Sequence, residues 1–276
     1  MAGQETAIPP EIAFQARYPG AAGQEPPPES GYLRTVRPGF CLLMTPMPTV
    51  NLVEDVSVAP AQVGDAVEEV RGLLRARGRG QAAWVVPASA GALLESLSAA
   101  GMTPYDDPPL GRLSTAMALL HSPAGSASPD VVVREAVDLQ DYLDVAALAA
   151  VLFEMGHDDS RALAGSLRAR HALRQQGRTP MRTYLAFVDG RLVGQGQGTE
   201  TQIATNLSGS SVEPAARGRG VYRALVVARW DDAVSRGLPA LTVQAGEMSR
   251  PILARLGFEV VEVESVLCDR FAPAGE

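Results

Sequence analysis

The chain contains no lysine; all 24 of its basic residues are arginines. Against 31 acidic residues they leave a formal net charge of −7. Binding to a phosphate backbone needs a basic face, so nucleic acid is not an expected partner. Cysteine is nearly absent. Cys41 and Cys268 are too few for a disulfide framework or a zinc site, and both fall in apolar, strand-like runs. The three histidines, His121, His157 and His171, share no metal-ligand spacing, and no metal is expected. No run of 18 apolar residues occurs, so no membrane association is expected. The opening Met-Ala-Gly-Gln-Glu lacks the basic-then-apolar pattern of a signal peptide, and a cytoplasmic location is expected. What is present is ordinary globular composition, 46% apolar and 20% charged. The 276 residues suffice for two domains of about 130 residues each, and both could bury a core.

Breaks along the chain suggest how it is divided. Residues 1–30 hold six prolines and read as an irregular arm in which only 12–18 can make a short helix. Residues 122–130, small, polar and bracketed by Pro123 and Pro129, read as a linker. This leaves one domain over 31–121 and a second over 131–276. The second opens with a strand at 131–134 and a helix capped by Asp138. A further helix follows, with Ser160 as its candidate cap, running to about 176. Asp189-Gly190 predicts a hairpin turn, and 206–212 a strand. A helix to about 236, a strand at 240–243, a short helix at 249–256 stopped by Gly257, and closing strands at 259–264 and 266–271 complete it. The first domain repeats part of this order, with extended runs at 40–44 and 50–58, a helix with Val63, Val67, Val70 and Leu74 on one stripe, a strand at 82–86, a helix at 91–100 and a strand at 113–120.

The halves superpose in sequence. Val58-Ala59-Pro60 matches Val212-Glu213-Pro214 at an offset of 154, Gly80 matches Gly237 at 157, and Gly101-Met102 matches Gly257-Phe258 at 156. Near-constant offsets across strand, helix, strand and helix indicate one mixed αβ (α+β) fold used twice. The first copy is three residues short just after its proline, where Arg217-Gly218-Arg219-Gly220 stand in the second. That tetrapeptide lies between a predicted strand and a predicted helix. A helix start carries unpaired N–H groups and a partial positive charge, and glycines let a ligand approach the backbone closely. Such a loop suits a phosphate or pyrophosphate, and Arg217 and Arg219 add charge. The run Arg75 to Gly80 has the same spacing but follows a helix. There the backbone presents carbonyls, and Gly78 and Gly80 read as a helix stop.

With Val212-Glu213-Pro214, the loop Arg217 to Gly220, the helix after it and Leu256-Gly257-Phe258, residues 130–271 resemble the GCN5-related N-acetyltransferase (GNAT) family. The whole chain resembles a tandem GNAT protein with a degenerate first copy. The resemblance implies two units, each a mostly antiparallel mixed sheet flanked by helices, with acetyl-CoA bound by the second alone. It implies that N–H groups of Gly218, Arg219, Gly220, Val221 and Tyr222 hold the pyrophosphate beside Arg217. The strand end Ser211-Val212-Glu213 would pair with the pantetheine arm and polarise the thioester carbonyl, and Ser249 starts the short helix nearby. The implied reaction is acetyl transfer to an amine-bearing acceptor; a homodimer is left open. Two departures stand out. Tyr222 occupies a position where the family has Gly or Ala, and its ring is expected to point away from the phosphates. Leu253 occupies the position of a tyrosine that protonates the departing thiolate in many members. A CoA-binding sensor or scaffold without turnover is the alternative, and a nucleotide-binding αβ protein is disfavoured by the absence of lysine.

Candidates for proton transfer are fewer. Glu154 and His157, in the loop between the first two helices of the second half, could select a cationic amine or accept its proton; a solvated loop is the plainer reading. Glu200 is a possible base on the central sheet, or a hairpin-edge residue. Gly194, Gly196 and Gly198 leave one face of a strand bare, making room for a substrate or marking a twisted edge.

Overall fold

The computed structural model of the chain describes residues 7–106, 111–126 and 128–273. The run Asp106-Asp107-Pro108-Pro109, whose composition reads as a turn, lies outside the described residues from Asp107 onward. The arm is more ordered than its prolines suggest. It forms helices α1 (Pro10–Arg17) and α2 (Pro19–Ala22) and a 3-10 turn (Pro28–Ser30). Pro10, Pro19 and Pro28 sit at the first positions of these helices, where a missing N–H costs nothing. The first half continues with β1 (Leu33–Arg37), β2 (Phe40–Met44), β3 (Asn51–Glu54), α3 (Val63–Arg75), β4 (Gln81–Pro87), α4 (Gly91–Ala99), β5 (Thr103–Pro104) and β6 (Leu113–Leu119). The second comprises β7 (Val131–Glu135), α5 (Leu139–Leu152), α6 (His157–Gln175), β8 (Met181–Val188), β9 (Arg191–Glu200), β10 (Thr205–Val212), α7 (Val221–Ser235), β11 (Leu241–Ala245), α8 (Arg250–Arg255) and β12 (Glu259–Arg270).

Local chemistry accounts for most boundaries. Asp138 caps α5, accepting from the Asp141 N–H at 2.9 Å. Asp189 and Gly190 both take positive φ, 52° and 74°, as a tight hairpin turn demands. Gly78 ends α3 at φ +67°, in keeping with a helix stop at Arg75 to Gly80. Three expectations are corrected. Helix α6 starts at His157 behind Gly156, and the Ser160 hydroxyl donates instead to the Met155 carbonyl. The run 50–58 is extended as a strand only over Asn51–Glu54. The two closing strands are one continuous strand, β12, whose register against β6 shifts between Val260 and Glu262.

Among the described residues one mixed, mostly antiparallel sheet takes in all the strands, in the order β1-β2-β3-β4-β12-β6-β11-β10-β9-β8-β7, with β5 beside β12. Apart from β7, the extra edge strand of the second half, the order reads the same from either end once the copies are matched: β4 answers β11, β3 answers β10, β2 answers β9 and β1 answers β8. The closing strands are exchanged. Strand β6 of the first half lies between β12 and β11, and β12 of the second lies between β4 and β6. Because side chains alternate across a sheet, the cores separate by face. On one face α3 and α4 cover Phe40, Leu42, Trp84 and Leu267, while α7 and α8 cover Met117, Leu119, Leu207, Leu241 and Val243, with Trp230 of α7 in that core. On the other face α5 and α6 pack on Leu185, and α1 sets Ile12 over Ala118, Ala204 and Ala240.

Candidate functional site

Strands β10 and β11 run parallel and pair only from Thr205↔Leu241 to Leu207↔Val243. At Ser208 the register of β10 against β9 shifts, Gly209 takes φ +56°, and pairing resumes at Ser211↔Gln195. The two parallel strands are thus no longer paired where the bulge begins. The first half has a counterpart, since β3 and β4 pair only at Leu52↔Ala83 and Val53↔Trp84.

Beyond the end of β10, a 3-10 turn (Pro214–Ala216) leads into the glycine-arginine loop. Gly218 and Gly220 hold φ at +78° and +83°, values that a residue with a side chain rarely adopts, and Gly220 is the residue before the first turn of α7. The Arg217 N–H donates to the Pro214 carbonyl at 3.2 Å. Among the described residues no hydrogen bond engages the N–H of Gly218, Arg219, Gly220, Val221 or Tyr222. Arg217, Gly218 and Arg219 are exposed. The exposed residues Gly218 and Arg219 therefore present unpaired amides at the positive end of a 15-residue helix, with Ser128 against Gly220 on one side, an arrangement suited to a diphosphate. The first copy has no such feature: α3 follows a 3-10 turn (Pro60–Gln62) directly, with neither a glycine nor a positive φ before it. At the end of β3 the arm closes the chain on itself, Gly20 and Ala21 donating N–H bonds to Glu54 at 2.8 and 3.4 Å.

The remaining candidates divide. Ser211 is buried and its hydroxyl accepts from Gln195 at 3.2 Å, and Val212 packs with Val193 and Val221. The Glu213 N–H is taken by the Val193 carbonyl at 2.8 Å and its carboxylate by Arg191 at 2.8 Å, so Glu213 has little left to offer a ligand. The Tyr222 ring packs on the α7–α8 core and its hydroxyl meets Ser249, while burial raises its pKa. Ser249 does stand at the start of α8 but makes no cap bond; its hydroxyl donates to the Gly246 carbonyl at 3.2 Å. Leu253 is fully buried core. Glu154 and His157 are exposed; Glu154 adopts φ +48° and the His157 ring contacts Arg161 one turn on. Glu200 is not a free base: its Oε1 accepts from Arg182 at 2.5 Å and from Arg236 at 2.9 Å. Both guanidiniums belong to a network with Glu135 and Asp232 at the closed end of the sheet, so its charge is spent on structure.

The glycine stripe is also corrected. Gly194, Gly196 and Gly198 face α7, and a Cβ on Gly196 would lie 3.0 Å from the Arg229 guanidinium and 2.9 Å from the Ser210 hydroxyl. The bare face receives the helix and its buried arginine. Arg229 was missed in the sequence because an arginine on a helix reads as solvated; the glycines opposite it are its only mark there.

Solved structures share this architecture. A GCN5-related N-acetyltransferase from Kribbella flavida matches with a TM-score of 0.64 at 17% identity, over 95% of this chain and 96% of that one. A GCN5-related N-acetyltransferase from Sphaerobacter thermophilus matches with a TM-score of 0.59 at 17% identity, over 85% and 81%. A tandem GNAT protein from the clavulanic acid biosynthesis pathway matches with a TM-score of 0.54 at 19% identity, over 98% and 90%. No family model matches the sequence, and no curated protein matches it. The chain has the GNAT fold, used twice in tandem.

Proposed function

We propose that the second half, residues 131–276, binds acetyl-CoA and passes its acetyl group to an amine, and that the first half, 31–121, is a degenerate copy that binds none. The observation that carries this is the set of amides from Gly218 to Tyr222, unpaired among the described residues and set at a helix start close to where β10 and β11 cease to pair. In this reading the loop holds the pyrophosphate, with charge-assisted bonds of about 1.5–3 kcal/mol each. The pantetheine arm lies along the free edge of β10, and the thioester carbonyl meets the bulge at Ser208 to Ser211. A neutral amine attacks the carbonyl carbon. A C–N bond forms, the carbonyl pair moves to oxygen, and its return breaks the C–S bond. The thiolate leaves, and the nitrogen gives up its extra proton to water.

Buried Leu253, which offers no proton to the thiolate, favours a second reading in which CoA is bound without turnover. Titration with CoA tests the site, and thiol release from acetyl-CoA with a panel of amines separates the two readings. Gly220→Asp should abolish CoA binding, because it adds a carboxylate to the loop and forces a side chain into a φ of +83°, with its Cβ 3.2 Å from that of Ser128; a melting temperature near the parent's shows that the damage is confined to the loop. Unchanged affinity in that variant would discard the loop assignment.

A further inference from the structure

We propose that Arg229 is a positioning residue for acyl transfer: from beneath β10 it fixes the bulge and sets a positive charge behind the oxygen that becomes negative. This deepens the acetyl-transfer reading and rests on it. Arg229 is fully buried on α7. Its Nε donates to the Leu225 carbonyl at 2.8 Å, and its Nη1 to the Gln197 carbonyl at 2.9 Å and the Ser210 hydroxyl at 3.0 Å. Its Nη2 has no partner among the described residues. Among the described residues no ion pair holds the guanidinium. The groups that act on its charge are the hydroxyls of Tyr184 and Tyr222, and burial pushes its pKa down.

A buried cation without a carboxylate is costly, and an apolar residue of similar size fills such a space more cheaply. Its placement argues for use. Ser210 lies inside the irregular stretch of β10 between Ser208 and Ser211, and Gln197 is the β9 partner of Ser208. Arg229 therefore pins both sides of the bulge at the level where β10 leaves β11. Glycine at 196 is what admits it, as a Cβ there would lie 3.0 Å from Nη1. When the amine adds, the carbonyl oxygen facing the bulge gains a full negative charge. A fixed cation in a dry interior, held before the reaction begins, favours that state over the neutral thioester without tightening CoA itself.

The test compares the parent with Arg229→Gln and Arg229→Lys. CoA affinity should stay within about twofold, and kcat should fall by about tenfold or more in Arg229→Gln, with partial rescue in Arg229→Lys. The carbonyl stretch of bound 13C-labelled acetyl-CoA should lie at lower frequency in the parent than in Arg229→Gln, which a merely structural arginine would not bring about. Should Arg229→Gln fail to fold, Ser210→Ala removes one of the two contacts at the bulge and should show the same pattern on a smaller scale. A parent that binds no CoA, or releases no thiol with any amine, overturns the acetyl-transfer reading. A parent that turns over, with variants of equal kcat and equal carbonyl frequency, overturns the role of Arg229 alone.

Discussion

Glu54 and Glu264 are buried with little to hold a charge. Glu54 accepts from Gly20 and Ala21, Glu264 accepts from Gln244, and the second oxygen of each has no partner among the described residues. Burial first, then the charge of Glu54, raises Glu264 to about 8, and burial raises Glu54 to about 7, both from 4.5. Arg17 opposes the shift of Glu264, while Glu262 adds to it and Asp55 adds to that of Glu54. A carboxyl group that binds its proton more tightly when folded stabilises fully below its unfolded pKa, and that contribution is lost as pH rises through the folded value. The window here runs from about pH 4.5 to 8. Asp141 runs oppositely: Arg134 holds it at about 2, so its contribution is lost only in acid, as pH falls through that value. Glu264→Gln should therefore melt close to the parent at pH 5 and above it at pH 8. A gap between the two melting curves that does not widen with pH would refute this. At this scale the sequence speaks unevenly. The loop is legible because glycine is what positive φ selects and a helix follows at once. Arg229, Glu54 and Glu264 are not, because their burial is decided by partners up to some two hundred residues away along the chain.

Elements are legible where their punctuation is local. Asp138 and Asp141 form a reciprocal cap, and Asp141 also takes two bonds of 2.6 Å from Arg134 on β7. The cap thus fixes the start of α5 and the angle at which it leaves the sheet. Asp138→Ala should cost about 1 kcal/mol, a fall in Tm of about 2–4 °C for a chain of this length. A thermal melt unchanged within a degree would show that Asp141 and Arg134 hold the helix start without it. Where two signals compete, local reading fails. Ser160 is a good cap residue, but the chain turns into helix one step after Gly156, and Asp158 and Asp159 then suit the positive end of α6. The continuity of β12 is hidden for a related reason. Its register shift at Val260–Glu262 resembles a break in sequence, yet β6 and β4 pair with successive parts of one strand.

The repeat itself is legible at the scale of the molecule, since offsets of 154 to 157 follow the elements from β3 to the end of α4. The exchange of β6 and β12 is not, because a strand carries its hydrophobic alternation without naming its neighbour. The exchange has a thermodynamic consequence. Strand β6 puts Met117 and Leu119 into the core under α7 and α8, and β12 puts Leu267 into the core under α3 and α4. Residues 131–276 on their own would leave the β11 edge bare over its five pairs from Leu241↔Leu119 to Ala245↔Thr115, and that core would lack two large side chains. Residues 31–121 on their own would lose the seven pairs from Glu264↔Pro87 to Arg270↔Gln81. Neither half can unfold without uncovering the other. The full chain should therefore melt in a single transition, with equal calorimetric and van't Hoff enthalpies, despite having two copies of one fold. Residues 131–276 expressed without the first half should show no cooperative melt and should expose the open edge to aggregation. Two separated transitions in the full chain, or a cooperative melt in the isolated second half, would mean that each copy closes its own sheet.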